Sequence, residues 1–468
     1  MSSKKNLSIL QMFYSLNLRL FFTLVLVSLI PLVYKTIRIH FLGDYPSDWG
    51  VNIASQVAWL NVLYEVIQEA LILPVFYVLG QAVHDKRDFD NRIKTGFVSV
   101  FGVFFVFSVL VILFVKPLLF LMDQKASLIQ SSALYIRLES VAILISVLYK
   151  FILFVFILRD EKTQLLWLLV LQTVLSVFCD TVFVSQQAFS LGLGVNGIAV
   201  TNIIVNTILL GVSVHLLLKD NVMSLQLKGM NFDWQKEWFK VGSFSGLESL
   251  IRNVAFLVMI LRMVNVISEQ GNFWVANSFI WGWLLLPVLA LGELIKRNTG
   301  EAPDKTRELL PAYLFLTGCM VIFWVISIPA WKPFLVHVMN VNEPDKIYSV
   351  ILISIGFYVA FAFNNVIDSI FYGLGRTDLM LVQSVVINSI YYGGAYIAYT
   401  LGYFQPTLNS IAILFGGGIA MDSIITFGMY LYLEKNGSLY QTQLEVLALG
   451  DDSLGYEKGS RLGIRHVR

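Results

Sequence analysis

The chain has 468 residues, 57% of them hydrophobic and 14% charged, with a formal net charge of +2 and a mean hydropathy of +0.73. A soluble domain carries roughly 25% charged residues, so the composition excludes a water-soluble globular protein. The near-neutral balance excludes the basic footprint of a nucleic-acid binder. What remains is an all-α integral membrane protein, because a helix crosses the hydrocarbon core with roughly 20 apolar residues and such stretches recur along the whole sequence.

In chain order, apolar stretches at 20–43, 54–80, 96–122, 132–158, 165–185 and 195–218 predict six transmembrane helices. A polar connection over 219–238 follows, and stretches at 239–267, 273–295, 309–331, 346–371, 379–401 and 408–433 predict six more. The expected organisation is twelve transmembrane helices in two pseudo-symmetric six-helix lobes, 1–218 and 239–433, around a central cleft, with a solvated polar tail over 434–468. Basic clusters such as Lys86, Arg87, Arg92 and Lys94, or Lys296, Arg297, Lys305 and Arg307, fall on one side of this arrangement. Because Lys and Arg resist translocation, that side is cytoplasmic, and both termini are predicted there, in the plasma (inner) membrane. No small-residue cleavage site follows the first span, which is expected to be retained. Cys179 and Cys319 lie inside predicted spans, where no disulfide framework is expected.

The two halves repeat. LILPVFYVLGQ at 71–81 resembles LLLPVLALGE at 284–293, LQTV at 171–174 matches VQSV at 382–385, and IAV at 198–200 matches IAI at 411–413, all at nearly one offset. An even number of spans per half makes the repeat parallel, with a cleft between the lobes as the natural place for a substrate.

An ionised group at the bilayer centre costs roughly 2.5 to 3.5 kcal/mol on insertion scales, so each one should face protein or water. Gln172, Ser176 and Asp180 recur at four-residue spacing in the fifth span, which places them on one helix face. Asn202 and Asn206, next to Thr201, do the same in the sixth. Asn61, Glu65 and Glu69, with Gln68 beside them, form an acidic stripe in the second span. Its repeat counterpart in the eighth span holds Trp274, Trp281 and Trp283. Facing each other across a cleft, an acidic and an aromatic wall suit an organic cation; the alternative is a polar interhelical face opposite interfacial tryptophans. Glu248 and Arg252 are four apart with the acid first, the favoured order for an intrahelical pair. Asn364 and Asp368 share a face of the tenth span, where a cation site with Glu248 is conceivable. Arg137, Glu139, Lys150, Arg262 and Asp422 complete a nearly balanced set of ionisable groups in the spans.

Over nearly its whole length the chain resembles the multidrug and toxic compound extrusion (MATE) family. The resemblance is carried by 73–81 with the basic loop after it, LGVNGIAVT at 193–201, GSFSGLESLIRN at 242–253 and FYGLGRTD at 371–378. It implies two six-helix lobes forming a V-shaped cleft, alternating access, and export of organic, often cationic, compounds in exchange for H+ or Na+. Asp180 falls where one branch of the family has a key acid on its fifth helix, with Ser176 and Thr201 at the positions of its pocket partners. Asp180 is therefore expected either to couple the ion or to be a structural buried acid. Where that branch carries a second aspartate on its first helix, this chain has Lys35. A lysine there is expected to pair with Asp180 as a tethered cation, with Arg38 taking its place if the register shifts by a turn; the alternative has both side chains snorkelling to the headgroups. Na+ near Asp180 or Asp368 is the metal expectation.

No enzyme is expected. The histidines, His40, His84, His215, His337 and His466, are scattered, and no HExxH, nucleophile elbow or phosphate-binding Walker loop occurs. Active transport would therefore draw on an ion gradient, with no cofactor beyond H+ or Na+. The expected partners are a small organic substrate and the lipid bilayer, with a monomer sufficient. A flippase for lipid-linked saccharides and a transport-inactive membrane scaffold are the alternative functions.

Overall fold

The computed structural model describes Phe13 and residues 16–439, apart from 46–49, 73, 76–78, 80–81, 83–84, 160, 221, 224–229, 302, 375 and 438, with some side chains in 162–378 also left undescribed. Every regular element among the described residues is a helix. The first part of the chain forms α1 (Leu18–Gly43), α2 (Val51–Ser55), α3 (Val57–Leu71), α4 (Lys86–Leu121), α5 (Ile129–Leu158), α6 (Lys162–Phe183) and α7 (Val195–Lys219). The second part forms α8 (Gln235–Phe256), α9 (Arg262–Val266), α10 (Gln270–Phe279), α11 (Leu286–Glu301), α12 (Pro303–His337), α13 (Pro344–Gly373), α14 (Thr377–Val386), α15 (Gly393–Thr400) and α16 (Leu408–Lys435). Nine helices among the described residues are long and apolar enough to cross a membrane, and a tenth span arises if Gln270–Leu284 and Leu286–Thr299, bent by 54°, are taken together.

Local chemistry sets the helix ends. The Asn17 side chain accepts from Leu20 N at 3.0 Å, and that of Asp85 accepts from the amides of Arg87 and Asp88, each satisfying an amide that the helix leaves without a partner. Thr407 and Ser410 form a reciprocal capping box at the start of α16. Helix α4 begins ten residues before the predicted span because Asp88–Arg92 and Asp90–Lys94 pairs, at 2.9 and 2.7 Å, support a polar first turn. Single π-helical turns interrupt the regular pattern at Leu257–Leu261, Ile280–Leu284 and Ile387–Tyr392. The predicted spans 54–80 and 379–401 are not single regular helices: the chain breaks at Gln56 between α2 and α3, and a π turn separates α14 from α15.

Helix α5 packs between α4 and α7, and α13 packs against α11 and α16. The outer faces carry exposed apolar side chains, among them Val106, Leu113 and Phe114 on α4 and Ile322, Phe323 and Ile326 on α12. In water such a belt would drive association; against lipid chains it is the expected surface. The connection expected over 219–238 is partly helical, since α8 starts at Gln235. There Trp234 and Trp238 stack at 5.1 Å, and their indole N–H groups reach Thr95 Oγ1 and the Leu71 carbonyl at 2.9 and 2.8 Å. Of the polar tail, residues 440–468 lie outside the described residues.

Candidate functional site

A cavity of about 690 Å³ lies among α1, α3, α5, α6, α7, α10 and the π turn after it. That is the size of a drug-like ligand pocket, roughly 300–1,000 Å³. Polar contacts also join the first and second parts of the chain. Asn340, in the turn after α12, donates to the His40 carbonyl at 3.1 Å and to Asp44 Oδ1 at 2.8 Å. Gln56 and Asn265 exchange amide hydrogen bonds at 3.0 and 3.3 Å, and the Trp59 indole donates to Gln56 Oε1 at 2.9 Å.

Bordering the cavity is a network of one guanidinium and two carboxylates. Arg38 donates through Nε to Asp180 Oδ2 at 2.8 Å and through Nη2 to Asp180 Oδ1 at 3.2 Å, a two-pronged pair. The same Nη2 reaches Asn202 Oδ1 at 3.1 Å, and Asn202 Nδ2 donates to Glu139 Oε1 at 2.8 Å. Asp180 and Glu139 are almost completely buried, at 1% and 3% exposure. Four helices, α1, α5, α6 and α7, are thus tied by one chain of hydrogen bonds. The expectation that Lys35 pairs with Asp180 is corrected here: one turn further along α1, Arg38 takes the carboxylate, because its planar fork can engage both carboxylate oxygens and Asn202 together. Lys35 stands in the cavity wall, exposed to it, with no ion pair or hydrogen bond among the described residues. Gln172 and Ser176 also line the cavity. Thr201 is buried, and its hydroxyl has no partner among the described residues.

The acidic stripe of α3 divides. Asn61 lines the cavity with Trp274 and Trp281, whereas Glu65 and Glu69 turn to Arg252 on α8, at 3.4 and 2.7 Å. Neither carboxylate is part of the cavity wall, so the acidic wall expected opposite the tryptophans is not formed. The two carboxylates are instead held by the Arg252 guanidinium of α8. Lys150 donates to Gln68 Oε1 at 2.9 Å in the same region. Arg252 is therefore engaged by α3; the side chain of Glu248, its expected partner, lies outside the described residues. Of the tryptophans, Trp281 donates to the Tyr358 hydroxyl at 3.0 Å and Trp283 to Thr36 Oγ1 at 3.1 Å.

A second polar cluster is built on α13, α14 and α16. Asn364 Nδ2 donates to Asp368 Oδ2 at 2.8 Å and to Asp422 Oδ2 at 3.4 Å, so one amide bridges two carboxylates. Gln383 Nε2 donates to Asp422 Oδ1 at 2.5 Å, and Thr426 Oγ1 to Asp368 Oδ1 at 3.3 Å. Neither carboxylate has an ion pair among the described residues. Asn364 and Gln383 are 3% and 5% exposed, and their carbonyl oxygens, Oδ1 and Oε1, have no partner among the described residues. Asp422 and Gln383 had no role assigned from sequence. The signal available there was an acid in an apolar span with no base at helical spacing.

The long apolar helices define a multi-pass membrane protein. Neither a family model nor a curated protein matches the sequence. Solved structures do match its fold. An inward-facing multidrug resistance MATE family transporter of the MOP superfamily superposes with a TM-score of 0.71 at 16% identity, over 88% of this chain and 96% of that one. An outward-facing MATE transporter gives 0.61 at 16%, over 94% and 100%. A MOP superfamily transporter from Pyrococcus furiosus, described as having a binding pocket of reverse polarity, gives 0.65 at 18%, over 94% and 100%. The chain has the fold of the MATE transporters.

Proposed function

We propose that the protein is a secondary transporter that exports a small organic compound by alternating access, using an H+ or Na+ gradient. The carrying observation is the cavity of about 690 Å³ whose wall joins Lys35 and Gln172 from the first half of the chain to Trp274 and Trp281 from the second. A fold captured elsewhere in both inward- and outward-facing forms gives that cavity a means of opening to either side. In this reading the spans number twelve, in two six-helix lobes over 1–218 and 239–433, with both termini cytoplasmic, and a monomer in the plasma membrane suffices.

Coupling is assigned to Asp368 and Asp422 rather than to Asp180. Asp180 is already neutralised by Arg38 in a two-pronged pair, so an incoming cation would have to displace a guanidinium. Around Asp368 two carboxylates are bridged by neutral amides whose own oxygens have no partner, and no base is bonded to either acid among the described residues. Oxygen donors of this kind suit a hard cation or a proton.

The test is flux in proteoliposomes under an imposed pH or Na+ gradient, with a panel of fluorescent organic compounds inside and Asp368→Asn as comparison. The expected result is gradient-dependent movement of at least one compound, abolished by the collapse of the gradient and by the substitution. Flux of no compound responding to either gradient would overturn the proposal.

A further inference from the structure

Resting on the transport role just proposed, we infer that the cavity is a site for an amphipathic organic anion, its carboxylate, sulfonate or phosphate paired with Lys35 and its apolar body laid against Trp281 and Trp274. A solute can reach few of the charges in the cavity. Asp180 is shut away beneath Arg38, and Glu139 is 3% exposed with its Oε1 held by Asn202. Arg38 spends its Nε and Nη2 on Asp180 and Asn202, with its guanidinium 5.8 Å from the Tyr34 ring. Lys35 alone stands in the wall uncommitted, bonded to no acid among the described residues. The acids that would have welcomed a cation, Glu65 and Glu69, are drawn away to Arg252.

An ammonium in a concave wall of low dielectric focuses a positive potential into the space before it. An organic cation entering there meets that potential, and the one carboxylate among the described residues of the wall, Glu139, is 3% exposed and tied through Oε1 to Asn202; an anion meets a donor of three hydrogen bonds. The rest of the wall supplies what the apolar part of such a molecule needs. Trp281 is 38% exposed and fixed in place by its hydrogen bond to Tyr358. A rigid, half-exposed indole is a large contact surface that loses little entropy on binding. Asn61 and Gln172 also line the cavity, where their amides can orient polar substituents. The cavity volume fits a molecule of drug size held whole, which favours a soluble solute over the headgroup of a lipid whose chains must lie elsewhere.

The inference is tested by equilibrium dialysis of the full-length protein in phosphatidylcholine nanodiscs, with empty nanodiscs as blank, against 2-naphthalenesulfonate, 2-naphthylmethylammonium and neutral 2-naphthol. The sulfonate is expected to bind roughly tenfold or more tightly than the ammonium. Lys35→Gln is expected to erase that preference while keeping 2-naphthol binding, and Lys35→Arg to preserve it. Equal or tighter binding of the ammonium to the unaltered protein overturns the inference, as does sulfonate affinity unchanged in Lys35→Gln. If Lys35→Gln loses 2-naphthol as well, Lys35→Arg decides, and loss of the preference there counts against the inference. Displacement of the sulfonate by lysophosphatidylglycerol but not by lysophosphatidylcholine would assign the site to a lipid headgroup and overturn the soluble solute. No gradient is imposed, so failure here leaves gradient-driven flux standing, and absence of flux leaves anion binding standing.

Discussion

Asp180 and Asp368 each sit at the centre of a network of amides and carboxylates inside an apolar helical body, but one network contains a guanidinium and the other contains no bonded base among the described residues. Around Asp180 the arginine supplies two hydrogen bonds to one acid, and Asn202 carries the network to the second. Around Asp368 a neutral amide bridges both acids, and two carbonyl oxygens are left over. The first arrangement is complete as it stands and ties helices together. The second leaves two acids and two amide oxygens without a bonded base among the described residues, which is why the proposed coupling role is placed there. The difference teaches that an acid at membrane depth is a functional candidate according to its partners rather than its position.

The largest expected effect breaks the comparison if it fails. Replacing both acids, Asp368→Asn with Asp422→Asn, should reduce gradient-driven accumulation in proteoliposomes to the level of protein-free vesicles. The melting temperature of the variant in detergent should not fall, because two buried carboxylates without a base are being removed. Accumulation that survives would return the coupling role to Asp180.

Next in size is Arg38→Ala, which leaves Asp180 buried and unpaired and should cost about 3–5 kcal/mol of stability. Measured by denaturant or thermal unfolding, most of that loss should be recovered in Arg38→Met combined with Asp180→Leu, since replacing a whole buried pair by apolar residues is often neutral. The double variant should still respond to the gradient. A stable double variant with no gradient response would sink the structural assignment of Asp180. A smaller, purely steric effect is expected at the α3–α8 contact. A Cβ on Gly242 would fall on the Ala70 carbonyl oxygen, and one on Gly246 would come within 2.7 Å of the Ala70 Cβ. Gly242→Ala should cost about 1–3 kcal/mol, the usual range for overpacking, in the same unfolding assay. A loss below that range would mean the two helices can separate at this point without penalty.

Much of this was legible in the sequence because hydrophobic length is a local property. The stretches predicted at 132–158 and 195–218 correspond to Ile129–Leu158 and Val195–Lys219. The stripe of Gln172, Ser176 and Asp180 does meet the first helix, since four-residue spacing fixes a common face. What stayed hidden depends on how each helix is rotated against its neighbours. Whether Lys35 or Arg38 met Asp180 hung on one turn of α1. The bond from Asn202 to Glu139 needed the relative phase of α5 and α7, although a lone acid in so apolar a helix as α5 signalled that some partner must exist. The π turns at Leu257–Leu261 and Ile387–Tyr392 shift the phase of everything after them, and no periodicity argument counts residues across such a turn correctly.

The smallest expected effect concerns a third charged group, and it separates sealed from open electrostatics. Arg252, Glu65 and Glu69 are 37%, 46% and 24% exposed in their side chains, against 14% and 1% for Arg38 and Asp180. Because ionised groups are costly against lipid, water and salt are expected to reach the α3–α8 pair. Exposed pairs typically contribute about 0.2–1 kcal/mol, so Arg252→Ala should lower stability by no more than about that amount. Because the Debye length shrinks from about 10 Å at 0.1 M salt to about 3 Å at 1 M, the difference between Arg252→Ala and the unaltered protein should shrink towards zero as salt is raised, whereas the deficit of Arg38→Ala should persist. Unfolding titrations of both variants at low and high ionic strength make the check. A deficit for Arg252→Ala of several kcal/mol that ignores salt would mean that this pair, too, is sealed from water. In that case α3 and α8 would be locked together by it rather than lightly latched, and alternating access could not proceed by parting them there.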